Sequence, residues 1–132
     1  MLLANNTDNA NYSNHPFLYA RVLGIYHANI IYTAGNDYTP RRMEFLWVRW
    51  FKYDQLRSVG WRDLKLDPLR FPPMAAEGAF GFVDPKDVLR GCHILPAFTN
   101  KRARGDGVGL SVLAQDAKDW SRYYVNRCVN SR

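Results

Sequence analysis

From Phe17 to Tyr26 the chain reads FLYARVLGIY, dominated by β-branched and aromatic residues, with Leu18, Ala20, Val22, Gly24 and Tyr26 on one face at period two. This pattern predicts a strand, bent at Gly24. A second short strand is expected over 29–33 (NIIYT), and AGNDYTP at 34–40 supplies the Gly, Asn, Asp and Pro of a surface loop. The strongest segment runs from Met43 to Tyr53 (MEFLWVRWFKY). Leu46, Val48 and Trp50 occupy one face of it, and Met43, Phe45, Trp47, Arg49, Phe51 and Tyr53 the other. A strand apolar on both sides is central in a sheet or bent across a small barrel, so one tryptophan is expected to serve the core and another a surface.

Residues 54–73 carry charges, Gly60 and three prolines, and Pro72-Pro73 argues for an extended crossover instead of a continuous helix. FGFVD at 80–84 reads as a strand. DPKDVL reads as one helical turn, with Asp84 as its N-cap and Pro85 at its first position, and CHILPAF as a last strand. In the tail, Ala117, Trp120, Tyr124 and Cys128 are spaced by three, four and four residues, which predicts a C-terminal helix over about 115–128. Residues 1–14, rich in Asn and Ala, are expected to be a mobile leader, and 15–132 a single domain. The expected fold is mainly β: a small SH3-like barrel closed by the C-terminal helix. Leu18, Val22, Leu46, Val48 and Ile94 are the candidate core.

Composition supports one folded domain. Of 132 residues, 47% are hydrophobic and 14% aromatic, enough apolar side chain for a core, and 23% are charged, close to the globular average. No run approaches the roughly 20 apolar residues of a membrane span, and the N-terminus lacks the basic and apolar regions of a secretory signal. An intracellular protein without a membrane partner is therefore expected. Two cysteines, Cys92 and Cys128, are too few and too scattered for a disulfide framework or a zinc site. The formal charge of +6 favours an anionic partner without identifying one.

Catalytic constellations are missing from the pattern, and neither an enzyme nor a cofactor is expected. His15, His27 and His93 have no metal-ligand spacing, and Cys92 and His93, adjacent on a strand, point to opposite faces. GDGVG at 105–109 lacks the Lys of a phosphate loop. Asp37, Asp54, Asp84 and Asp106 are scattered in turns, whereas phosphoryl transfer on two metals needs clustered carboxylates. The basic residues form two short clusters. Lys101, Arg102 and Arg104 lie in a glycine-containing loop and Arg41-Arg42 in another, and such clusters can neutralise phosphates without reading bases.

The runs YARVLGIY, FLWVRWFKY and AFGFVDPKDVLRGCHILPAF, within residues 17–98, resemble bromo-adjacent homology (BAH) domains. The phrases HPFLYARVLGIYHANIIYT, LRFPPMA, FGFVDPKDVLRGCHILPAF and DWSRYYVNR, across residues 15–127, are similar to the tail of fungal transposase-type open reading frames of the Plavaka kind. The BAH resemblance implies a barrel that acts as a chromatin interaction module, nuclear, with a histone tail or another chromatin protein as partner. It also places Trp50, Phe80, Phe82 and Tyr26 near an aromatic cage for a methyl-ammonium group, held by cation–π attraction. The competing reading is that all four rings are core. Together these features lead to the expectation of a non-enzymatic chromatin- or nucleic-acid-associated module derived from a transposon. The alternative is a structural or oligomerisation module of a transposase-like protein.

Overall fold

The computed structural model describes residues 2–4, 17–53, 66–99 and 101–126. They form nine strands: β1 (Leu2–Ala4), β2 (Phe17–Ile30), β3 (Arg41–Trp50), β4 (Lys52–Tyr53), β5 (Leu66–Arg70), β6 (Phe80–Val83), β7 (Val88–Arg90), β8 (Ile94–Pro96) and β9 (Tyr123–Asn126). Every pairing is antiparallel, in two sheets: five strands in the order β6-β3-β2-β1-β7 and four in the order β4-β5-β9-β8. The fold is mainly β, as the pattern predicts, but the sheets are not closed into a barrel. Only Phe51 separates β3 from β4, so one stretch of chain passes from the first sheet into the second. At that crossing Trp50 N donates to Ala79 O and Phe51 N donates to Tyr19 O, both at 3.0 Å.

The long β2–β3 hairpin organises the molecule. Its register runs from Ala20 opposite Trp50 to Ile30 opposite Arg41, with an irregularity between Val22 and Gly24 where the bend is expected. The expected second strand at 29–33 is not separate, because Asn29 and Ile30 continue β2. Where other elements cover the hairpin on both sides, its alternation produces two apolar clusters. Ala20, Leu46, Val48 and Val83, with Leu18, Trp50 and Val88 against them, form one; Tyr19, Phe51, Leu69, Tyr123 and Val125 form the other. Hence β3 carries large apolar side chains on both faces. Of the candidate core, Leu46 and Val48 are buried and Leu18 and Ile94 pack against the clusters, whereas Val22 is 38% exposed. Val22 lies where the hairpin begins to project past its cover, and Ile25, Tyr26, Ile30 and Met43 beyond it are exposed too.

Two expectations about the chain ends change. Leu2–Ala4, assigned by composition to the leader, forms β1 between β2 and β7, where its backbone pairs on both sides; residues 5–16 lie outside the described residues. The expected C-terminal helix is replaced, within residues 115–126, by a 3₁₀ turn (Asp116–Lys118) followed by β9; residues 127 and 128 lie outside the described residues. The turn stops after Lys118 because Asp119 adopts an extended conformation (φ −64°, ψ 143°). Thereafter period two wins over the three-and-four spacing, since Tyr123 and Val125 are buried with Tyr124 between them. The short helical turn behind Asp84 forms as a 3₁₀ turn (Pro85–Asp87), the Asp84 carboxylate accepting from Lys86 N at 2.9 Å.

A buried carboxylate shapes the loop before β9. Asp116 accepts from Leu110 N at 2.8 Å and Ser111 N at 3.0 Å, and Arg104 Nε lies 3.1 Å from it. Gly109 allows that approach, since a Cβ there would meet Asp116 Oδ1 at 2.7 Å. The Leu110 hydrogen bond first, and then those of Ser111 and the Arg104 charge, hold the Asp116 carboxyl below the ordinary aspartate value of 3.8, outweighing burial, which pushes it up. A group whose pKa falls on folding contributes stability that is full above its unfolded value and lost as pH drops through the folded one. As pH is lowered below 3.8, the wild-type melting temperature is therefore expected to fall more steeply than that of Asp116→Asn. Equal slopes would show that the carboxylate contributes nothing.

Candidate functional site

The odd-numbered face of β3 presents Arg41, Met43, Phe45, Trp47 and Arg49. Cross-strand neighbours extend each row: Tyr26 lies opposite Phe45, Gly24 and Phe82 flank Trp47, and Arg21 and Phe80 flank Arg49. Five rings thereby meet in a continuous array. Tyr26 stacks on Phe45 with centroids 5.8 Å apart, and Phe45 meets Phe82 edge to face at 5.3 Å. Phe82 lies 4.8 Å from Trp47, which stacks on Phe80 at 5.4 Å with the planes 5° apart. Such pairs contribute about 0.5–1.5 kcal/mol each beyond area burial, so the array is held in place without cover. It faces solvent: Phe82 is 68% exposed and Tyr26 47%, with Phe45, Trp47 and Phe80 half-buried between them. Gly24 permits the compact arrangement, because a Cβ there would lie 2.6 Å from the Tyr26 ring.

Trp50, which the resemblance places near an aromatic cage with Phe80, Phe82 and Tyr26, lies on the opposite face. It packs with Leu46 and Val48, and its indole nitrogen rests against Gly81, where a Cβ would approach to 2.6 Å. Gly81 sits between Phe80 and Phe82 in β6, and alternation turns those two rings away from Trp50. The structure therefore brings together Phe80, Phe82 and Tyr26 of the four, and joins them to Trp47 and Phe45. The signal for those two was present in the sequence, since the odd face of the 43–53 segment holds both.

The basic candidates divide between loops. Arg41 pairs with Asp37 and Arg42 with Glu44, each at 3.4 Å and exposed. Such surface pairs contribute about 0–1 kcal/mol and exchange readily with another anion. Arg41 lies at the far end of the aromatic face, beside a cleft of about 730 Å³ that Ile30, Tyr32, Met43 and Lys86 help to line. Arg104 is held by Asp116, and the Arg102 guanidinium lies 5.4 Å from the Trp120 ring centre. Lys101 is exposed, and its carbonyl accepts from Ser121 N at 3.1 Å.

At the near end of the face two arginines, absent from the sequence candidates, meet one carboxylate. Asp119 receives Arg49 Nη1 at 2.5 Å and Arg21 Nη1 at 3.2 Å. The Arg49 guanidinium lies 3.9 Å from the centre of the Phe71 ring, whose stacking partner is Phe51 at 4.1 Å. Arg21 lies 4.7 Å from the same centre and reaches Tyr123 Oη at 3.4 Å. Among the described residues, no group of three His, Cys, Asp or Glu side chains converges to hold a metal, and no helix is long and apolar enough to cross a membrane. Comparison of the chain with protein-family models, with curated proteins and with solved structures finds no match.

Proposed function

We propose that this domain is a non-enzymatic interaction module that binds single-stranded nucleic acid, the bases stacking on the Tyr26–Phe45–Phe82–Trp47–Phe80 array. The observation that carries the reading is the array itself, a row of contiguous rings on a solvent-facing sheet with no apolar cover among the described residues. Unstacked bases have exposed π faces, and each base–aromatic stack is worth about 1–3 kcal/mol irrespective of sequence. A duplex hides those faces, so an open aromatic sheet favours the single strand. The +6 charge and the arginines at both ends, Arg41 and Arg21, supply the attraction for a phosphate backbone. From Arg41 to Arg49 the face spans about 27 Å at the antiparallel rise, room for several nucleotides. The BAH resemblance implies a different partner, a histone tail or another chromatin protein, and the resemblance to transposase-type reading frames implies no mechanism, so the stacking reading rests on the ring array and the charge.

Fluorescence anisotropy with labelled single-stranded and duplex oligonucleotides of equal length tests the reading. Single strands are expected to bind more tightly than duplexes, with little sequence preference and with affinity that falls as salt rises. Equal affinity for duplex and single strand, or none for either, would remove it. A methyl-lysine histone peptide series belongs in the same titration. Preference for a methylated peptide over every oligonucleotide would move the function to the histone-tail reading of the sequence.

A further inference from the structure

We infer that Arg21 is the residue of a phosphate subsite at the near end of the aromatic face, and this rests on the stacking reading for the identity of the strand that brings the phosphate. Charge balance leads to it. Arg49 is 4% exposed and Asp119 is buried, and their contact satisfies one positive and one negative group. Arg21 shares the same carboxylate, so the cluster of two guanidiniums and one carboxylate retains a net positive charge. Arg21 carries that charge at the rim of the cluster: its guanidinium lies 4.7 Å and 5.6 Å from the Phe71 and Tyr123 ring centres and its side chain is 30% exposed, so an arriving anion meets a cation already held in position and adds a charge-assisted hydrogen bond.

Arg21 is the member an incoming anion can reach. Its side chain is 30% exposed, and it lines a cavity of about 250 Å³ with Val22, Cys92, Ile94 and Tyr123. That volume lies below the roughly 300–1,000 Å³ of pockets for drug-sized ligands, and so suits a single anionic group. Guanidinium is the group best matched to phosphate, since its planar fork donates two parallel hydrogen bonds. Arg21 also stands one row from Trp47 on the same face, so a strand whose bases lie on the rings brings its backbone past it. Arg49, deeper and stacked on Phe71, positions the shared carboxylate and does not touch the strand.

Salt dependence separates this subsite from the stacking rings. Each phosphate neutralised on a single strand contributes about 0.7 to the slope of log affinity against log salt. Arg21→Gln is expected to lower that slope by about 0.7 and to weaken oligonucleotide binding several-fold, while Arg21→Lys retains the slope. Thermal melts of both variants establish that each is folded under the titration conditions. A titration with inorganic phosphate and with a nucleoside monophosphate identifies the source. Tight binding of either alone assigns the subsite to free phosphate compounds, and binding of the oligonucleotide only assigns it to the strand. Arg21→Gln with wild-type slope and affinity would overturn the subsite and leave the stacking reading standing. If the wild type binds no oligonucleotide, the stacking reading fails. The phosphate titration then decides the subsite by itself, supported if binding disappears in Arg21→Gln and overturned if the wild type binds no phosphate.

Discussion

Asp119→Ala is expected to destabilise the domain by about 3–5 kcal/mol, the cost of removing one partner from a buried ion pair and leaving the other charge uncompensated. Two guanidiniums lose their shared carboxylate in one step, and Arg49, 4% exposed, has no route to water. The consequence spreads because the cluster joins the two sheets. Arg21 and Arg49 belong to β2 and β3, Phe71 follows β5, Asp119 precedes β9 and Tyr123 opens it. Denaturant unfolding measures the loss directly. A companion variant, Arg49→Met with Asp119→Leu, removes both buried charges and is expected to recover much of it, since well-packed apolar residues often replace a buried pair without penalty. An Asp119→Ala variant within about 1 kcal/mol of wild type would mean that water reaches the cluster and the pairing is incidental.

The split of β3 into two working faces explains what the sequence revealed and what it hid. Period two along Met43–Tyr53 separates Leu46, Val48 and Trp50 from Phe45, Trp47 and Arg49, and both sets sit where that alternation puts them. The strand class of the protein follows from such local periods, as does the 3₁₀ turn behind Asp84, whose cap lies within three residues. Contacts between distant segments left no comparable trace. Asp119 lies 98 residues from Arg21 and 70 from Arg49, and nothing in DAKDW marks a carboxylate committed to two arginines. Cross-strand register was equally hidden: the choice between Trp47 and Trp50 as neighbour of Phe82 depends on β6 pairing with Leu46–Arg49, a long-range fact. The tail misled for another reason. Spacings of three and four over Ala117–Tyr124 satisfy a helix by count, while the chain turns extended at Asp119 and the pairing of β9 between β5 and β8 keeps it so.

Trp47→Ala is expected to weaken single-stranded oligonucleotide binding by about 5- to 150-fold, the loss of one base–aromatic stack of about 1–3 kcal/mol. Trp47 is the hinge of the array, since it contacts both Phe80 and Phe82, and its removal separates Phe80 from the other rings. Its effect on the salt slope should be nil, because a ring meets a base and displaces no counterion from a phosphate. Trp50→Ala supplies the contrast within the same strand. It opens a cavity beside Leu46, Val48 and Gly81, lowers the melting temperature, and leaves affinity per folded molecule near wild type. The two tryptophans, three residues apart, thus separate stacking from stability in one pair of experiments. Wild-type affinity in Trp47→Ala would show that the exposed rings are not where the strand lies. A large affinity loss in a well-folded Trp50→Ala would instead return the site to the opposite face, where the sequence resemblance placed the aromatic cage.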